Sequence, residues 1–196
     1  MRNSSAQSVK ADLRAGALAR RGAIADAEKT AAAERIAAAI EGLPLPAGAL
    51  VSGFLPIRGE VDPRPALERL AARHHPLCLP VVLEDRTTMV FRAWKPGDAL
   101  VPSSFGLSVP VPEAPVVEPS VMLVPLAAFD RRGYRIGYGK GHYDRAIERL
   151  AGRGPLLEIG IAFACQEIEH VPAEPHDRPM QVVVTEEGAI PCRRDA

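Results

Sequence analysis

The stretch from Val121 to Leu150 constrains the fold more than any other. It opens with an unbroken apolar run, Val121-Met122-Leu123-Val124-Pro125, which predicts a buried strand. A loop with four glycines follows, Gly133, Gly137, Gly139 and Gly141. Beyond it Tyr143, Ile147 and Leu150 fall on one face of an amphipathic helix. Strand, glycine loop and helix in that order present free backbone N–H groups to an anion at a helix N-terminus. Alternating glycines let the backbone approach a ligand with no side chain between. The same segment carries Arg131, Arg132, Arg135, Lys140 and Arg145 against only Asp130 and Asp144. Amides and cations together suit a polyphosphate; a flexible basic connector is the plainer reading of the same composition.

Two common phosphate motifs are excluded. A P-loop needs Ser or Thr after Gly-Lys, and here Gly139-Lys140 is followed by Gly141. The spacing of Gly137, Gly139 and Gly141 also differs from the dinucleotide fingerprint. Formal net charge is zero, which argues against a nucleic-acid partner and makes the basic cluster a local feature. The three cysteines, Cys78, Cys165 and Cys192, form no Cys-x-x-Cys pair, so no disulfide framework or zinc knuckle is indicated. No apolar run approaches the roughly 20 residues of a membrane span. The N-terminal segment lacks an apolar core for export, so the chain reads as cytoplasmic. No obligate protein partner is evident. With 196 residues, a single domain over 1–196 is expected, its residues 1–7 loose.

The remaining elements alternate. A helix is expected from an N-cap at Ser8, with Leu13, Ala17 and Leu18 inward. Lys10 and Arg14, four apart, share a face of it, which spacing alone reads as a solvated basic stripe. A second helix runs from Asp26 to Ile40 and is stopped by Pro44 and Pro46. Ala49 to Ile57 reads as a buried strand, with Glu60 beyond its carboxyl end, where ligands of open α/β sheets lie. Pro63 or Pro65 opens a helix to Arg73. Strands are expected at Pro76–Leu83, Thr88–Trp94, Leu156–Ala164 and Gln181–Thr185, with a helical turn at Gln166–His170. Trp94 falls opposite Met89 and Phe91, either packing at an edge or facing a flat ring. The proline-rich stretch from Pro102 to Pro119 is too apolar for a linker and is expected to drape over the body. Alternating strands and helices, with several strands apolar throughout, predict a three-layer α/β/α fold with a mainly parallel sheet.

Asp130, Asp144 and Asp177 are the carboxylates within or beside these loops, and magnesium takes one or two carboxylates together with phosphate oxygens. Asp144, in the first turn of its helix, equally offsets the helix dipole. The histidine spacings match no metal motif, and no nucleophile elbow is present.

Taken whole, the central string resembles the signature of the 5-formyltetrahydrofolate cyclo-ligase family, V-P-x-x-x-F-D leading into G-x-R-(L/I)-G-x-G-x-G-x-Y-D. Val124-Pro125, Phe129-Asp130, Gly133, Arg135-Ile136-Gly137, Gly139, Gly141 and Tyr143-Asp144 match it. The resemblance extends to Lys10 and Arg14 (the family's K-x-x-x-R helix), Phe54-Leu55 through Glu60, Leu79-Pro80-Val81, Met89, Phe91, Trp94 and the late pair His176-Asp177. It implies an ATP- and Mg²⁺-dependent enzyme that cyclises 5-formyltetrahydrofolate. Lys10 and Arg14 then reach the nucleotide phosphates, and Arg135, Gly137, Tyr138, Gly139, Lys140, Gly141, His142 and Tyr143 hold the nucleotide. Leu55, Glu60, Trp94, Tyr138, Lys140 and His142 line the reduced-folate side. Asp144 and Asp177 take the metal, while Arg14, Arg135 and Lys140 neutralise charge at the transferred phosphoryl. Two positions depart from the family pattern. His142 stands where tyrosine is common, and Gln181 where aspartate is frequent. They leave open an ATP-using enzyme acting on another formyl or amide compound, beside the further alternative of a non-catalytic binder.

Overall fold

The computed structural model describes residues 3–103, 106–174 and 177–192. Helix α1 spans Asn3–Gly22. It starts ahead of the expected Ser8 cap, because no glycine or proline between Asn3 and Ser8 interrupts it. Of the expected loose start, only the first two residues lie outside the described residues. Helix α2, Asp26–Glu41, ends at Gly42, two residues before Pro44. Strand β1 is short, Val51–Ser52. The apolar run predicts more, yet at Gly53 the chain passes directly beneath Leu67, where a Cβ would sit 2.5 Å from Cδ1. Pro56 then removes a ladder donor. Helix α3, Arg64–Ala72, has its proline in the first turn. Strands β2, Leu77–Val82, and β3, Met89–Ala93, form a hairpin.

The proline-rich stretch is more ordered than draping implies. It pairs as β4, Leu100–Pro102, with β5, Ser108–Pro110, and then adds β6, Val116–Val117, to the edge of the main sheet. Strand β7, Val121–Pro125, is buried throughout its apolar part. Next come the small hairpin β8, Ala128–Phe129, with β9, Arg135–Ile136, and helix α4, His142–Ala151. Strand β10 is Leu157–Ile161, followed by a 3₁₀ turn at Ala164–Gln166. That turn lies earlier than expected because Gln166 pins it. Its side-chain amide donates to the carbonyls of Leu126 and Ala127, and its Oε1 accepts from Phe163 N–H. Strands β11, Val182–Thr185, and β12, Gly188–Pro191, close the far edge as a hairpin.

The main sheet has the order β12-β11-β10-β7-β1-β2-β3-β6. The central run from β11 to β2 is parallel, with antiparallel strands added at both edges. Strand alternation divides the core. Val121, Leu123, Ile159 and Ile161 face α2 and α3, packing with Ile36, Ile40, Leu67 and Leu70. Met122, Val124, Met89 and Phe91 face α4, packing with Ala146, Ile147 and Leu150. The expected three-layer α/β/α arrangement is therefore present. Helix α1 belongs to neither core; Ala17 closes a smaller cluster with Ala128, Ile136 and Val171. No described helix is long and apolar enough to cross a membrane.

Strand β1 leads through α3 to β2 on one side, whereas β7 leads through α4 to β10 on the other. Because α3 and α4 cover opposite faces, the segments leaving neighbouring strands β1 and β7 diverge. A crevice at such a switch point, beyond the carboxyl ends of the strands, is where α/β sheets receive ligands.

Candidate functional site

One wall of the crevice is the segment after β1. Arg58 and Gly59 both adopt positive φ, +52° and +78°, which folds the chain back on itself. Ile57 N–H donates to Glu60 Oε2 at 3.0 Å. Glu60 is buried, 8% exposed. Burial raises its carboxyl above the ordinary range; the Ile57 bond, the Tyr138 hydroxyl and the charges of Arg21 and Arg58 work against that rise. Tyr138 comes from the opposite wall, with the Arg58 guanidinium 5.6 Å above its ring. Burial also raises the Tyr138 phenol, and the neighbouring Glu60 charge adds to it.

Arg21 joins the two walls. Its Nη2 donates to the carbonyl of Arg58 at 2.7 Å and to the Tyr138 hydroxyl at 2.9 Å. Sequence reasoning names Glu60 and Tyr138 but misses Arg21. A signal for it exists, because positions 10, 14, 17 and 21 fall on one helical face, of which the motif covers only Lys10 and Arg14.

The second wall rests on the β8–β9 hairpin. Asp130 is 1% exposed and accepts from the N–H groups of Arg132, Tyr134 and Val171 and from the Arg132 side chain. Its carboxylate is thus committed to holding the loop. Gly133 has φ +89°, and a Cβ there would lie 2.4 Å from the Met180 carbonyl oxygen. Arg14 Nε donates to the Gly137 carbonyl at 2.7 Å, and Gly139 lies beside the same guanidinium. Gly141, at φ +65°, is the N-cap of α4 and supplies no side-chain cap. Four N–H groups begin every helix without an intrahelical partner, and here no capping side chain competes for them.

Lys140 is exposed at the tip of this loop. Its carbonyl accepts from Arg145 Nη2 at 2.9 Å, and Arg145 Nε donates to the Thr87 carbonyl at 3.1 Å. His142 Nε2 donates to the Arg86 carbonyl at 2.9 Å. The turn between β2 and β3 therefore braces the glycine loop, and His142 serves that brace. Tyr143 stands within electrostatic reach of both halves of the site. Burial raises its phenol well above the usual range, Glu60 raises it further and Arg135 opposes.

Each expected metal carboxylate is held by an expected phosphate cation. Arg135 pairs with Asp144 and also donates to the Arg178 carbonyl at 2.9 Å. Lys10 pairs with Asp177 at 3.0 Å. Arg135 thereby connects the start of α4 to the residue next to Asp177. Among the described residues no group of three His, Cys, Asp or Glu side chains converges for a metal. His176 lies outside the described residues. Gln181 plays a structural part, since its amide bonds Glu158 N–H and the Leu156 carbonyl, sealing β10 against the entry to β11. Leu55 and Trp94 belong to the apolar core on the α2–α3 face, Leu55 partly and Trp94 almost fully buried. Beside Glu60, a cavity of about 130 Å³ opens between Lys29, Thr30, Asp62 and Pro65. That is below the roughly 300 Å³ at which ligand pockets begin, so the open crevice is the better candidate.

Comparison with known proteins agrees with this fold. A family model described as the 5-formyltetrahydrofolate cyclo-ligase family matches residues 6–186. A 5-formyltetrahydrofolate cyclo-ligase of Mycolicibacterium smegmatis is 30% identical over 193 residues, 94% of this chain and 97% of the relative. That of Escherichia coli K12 is 32% identical over 140 residues, 69% of this chain and 76% of the relative. Among solved structures, the Aquifex aeolicus 5,10-methenyltetrahydrofolate synthetase superposes with a TM-score of 0.79 at 31% identity, covering 96% of this chain and 95% of that one. The Mycoplasma pneumoniae 5,10-methenyltetrahydrofolate synthetase gives 0.71 at 25% identity, covering 90% and 98%.

Proposed function

The chain belongs to the 5-formyltetrahydrofolate cyclo-ligase family, and from that premise we propose that it converts 5-formyltetrahydrofolate and Mg-ATP to 5,10-methenyltetrahydrofolate, ADP and phosphate. One observation carries the reading. At the switch point, the glycine-loop wall brings Arg14, Arg135 and Lys140 together with a helix N-terminus that no side chain caps, and the same wall presents Tyr138 to the buried Glu60 of the facing segment. The first group suits phosphates and the second suits the polar edge of a flat heterocycle.

A formyl oxygen leaves poorly as oxide or hydroxide. Transfer of the γ-phosphoryl to that oxygen breaks the bond to ADP and makes a phosphate ester. The anilino nitrogen then attacks the former formyl carbon and loses its proton, and the C–O bond breaks with departure of inorganic phosphate. Such a transfer requires positioning and charge neutralisation and no protein nucleophile. In this reading Arg14 and Lys140 neutralise the transferring group, while Gly137 to Gly141 and the first N–H groups of α4 hold the phosphates. Arg135 and Lys10, each now paired with a carboxylate, trade that partner for phosphate oxygens. Asp144 and Asp177, freed of those pairs, would be the residues that hold magnesium, which would supply further charge neutralisation at the phosphates. Two separated carboxylates fit a hard cation that keeps most of its ligands as phosphate oxygen and water. Glu60 orients the pterin, and Leu55 and Trp94 form the apolar side of its seat.

Neither departure from the family pattern favours another substrate. Gln181 serves a strand junction, and the His142 ring is engaged by the Arg86 carbonyl. Incubation of purified protein with 5-formyltetrahydrofolate and Mg-ATP is expected to give the absorbance of the conjugated methenyl product, with an ATP-free control flat. A flat trace from folded, ATP-binding protein overturns the reading.

A further inference from the structure

Arg21 is a buried charge that the phosphate chemistry leaves unused. It is 3% exposed, and a buried guanidinium is costly to maintain unless its donors are engaged. Nη2 is engaged twice, by one group from each wall of the crevice. Nη1 is buried and, among the described residues, has no hydrogen-bond partner. Glu60 presents the complementary case. Its Oε2 holds the Ile57 N–H, while Oε1 is buried and likewise lacks a partner among the described residues. Both side chains meet at the Tyr138 hydroxyl. An unpaired donor and an unpaired acceptor around one fixed hydroxyl match a ring carbonyl adjacent to a ring N–H.

We propose that Arg21 is a specificity-determining residue for the folate, its Nη1 donating to the pterin ring carbonyl while Glu60 Oε1 accepts from the adjacent ring N–H. The assignment rests on the cyclo-ligase reading for the identity of the ligand. The geometry supplies a reason for the arginine to be buried. A lysine stripe would serve phosphates on the exposed part of α1, but a planar fork bonds Tyr138, the Arg58 carbonyl and a ligand carbonyl at once. It also makes recognition dependent on both loops being in place, because the same Nη2 bonds hold them together.

The test compares 5-formyltetrahydrofolate with the analogue carrying an amino group in place of the pterin ring carbonyl. Binding of each is measured by calorimetry without ATP, for wild type, Arg21→Gln and Arg21→Lys. Wild type is expected to prefer the carbonyl compound by about tenfold or more, since the amino group meets a donor with another donor. The analogue's ring nitrogen also lacks the N–H that Glu60 accepts, so Arg21→Gln is expected to lose the part of the preference due to the carbonyl and keep the part due to Glu60, and Arg21→Lys, which keeps charge and a donor, to lose less. Circular dichroism checks the fold of both variants. General loosening weakens both ligands alike and leaves their ratio unchanged. A wild-type ratio in a folded Arg21→Gln variant overturns the proposal, as does a wild type that binds both compounds equally. Failure of the cyclo-ligase reading shows separately, as absence of ATP-dependent methenyl product from wild type.

Discussion

Replacement of Asp144 by asparagine separates a structural carboxylate from a functional one. Asp144 pairs with Arg135, but its own side chain is 60% exposed. An ion pair with so exposed a partner contributes about 0.2–1 kcal/mol. As an acid in the first turn of α4 it adds about 0.3–1 kcal/mol through the helix dipole. Arg135, whose side chain is 8% exposed, is not stranded by the change, because its bond to the Arg178 carbonyl remains. The loss of stability is therefore at most about 2 kcal/mol, or a drop in Tm of roughly 4–8 °C for a chain of this size. If Asp144 helps hold magnesium on the phosphates, the functional loss exceeds that ceiling, and it appears in turnover and not in unfolding. Turnover at a magnesium concentration that saturates wild type is expected to fall on the order of 10²-fold, equivalent to about 2.7 kcal/mol of transition-state stabilisation. The magnesium midpoint is expected to move upward. Urea unfolding measures the first effect, and a magnesium titration of methenyl formation the second. An unchanged titration refutes the metal role. A stability loss beyond about 4 kcal/mol refutes the accounting of the ion pair.

Lys140→Ala is expected to lower turnover on the order of 10²-fold with little change in unfolding midpoint, since Lys140 is exposed and only its carbonyl is used by Arg145. Turnover close to wild type in single-turnover kinetics would remove it from the phosphate site. Glu60→Gln is expected to weaken folate binding and to change how stability depends on pH. Burial raises the Glu60 pKa above its ordinary 4.5, so the folded state holds the proton more tightly than the unfolded chain. The associated stability is fully present below 4.5 and is lost as pH rises through the raised folded value. The difference in unfolding free energy between wild type and variant should shift against wild type across that window; a difference flat with pH would contradict a raised Glu60.

Much of this architecture can be read before any coordinates, and what cannot be read has identifiable causes. Long apolar runs with helical spacing between them report burial, so β2, β7 and β10 and all four helices follow directly from the sequence. The hairpin β8–β9 and strand β12 are invisible to that signal, because a two-residue strand has no periodicity and Gly188–Pro191 holds only Ala189 and Ile190 between a glycine and a proline. The truncation of β1 depends on Leu67 lying above Gly53, a contact between positions that no local pattern relates. The glycine loop and its cations are legible because their chemistry is local, and the phosphate role proposed for them rests on that local chemistry. The Glu60–Tyr138–Arg21 junction is legible only in part. Its members come from three segments, and the helical face shared by positions 10, 14, 17 and 21 points Arg21 inward without saying which groups it meets there.

Helix α1 shows how a chain with no net charge builds a strongly cationic site. Its inward face meets the Asp177 carboxylate at Lys10, the Gly137 carbonyl at Arg14, the apolar hairpin at Ala17 and the Tyr138 hydroxyl at Arg21. From Lys10 to Arg21 a helix rises about 16 Å. In the proposed reading the helix thus reaches from the phosphate end of the crevice to its heterocycle end, with a cation at each contact except the one that packs. Both loops that line the crevice depend on it, since Arg14 fixes the glycine loop and Arg21 ties that loop to the segment after β1. The sheet supplies the switch point and diverging loops, but their relative position is set by a helix that belongs to neither main core. The relative placement of the two loops is accordingly set by polar bonds of α1, while the two main cores are packed by the apolar faces of α2, α3 and α4. Substitutions along the 10–14–21 stripe should therefore separate activity from stability more cleanly than substitutions within the sheet.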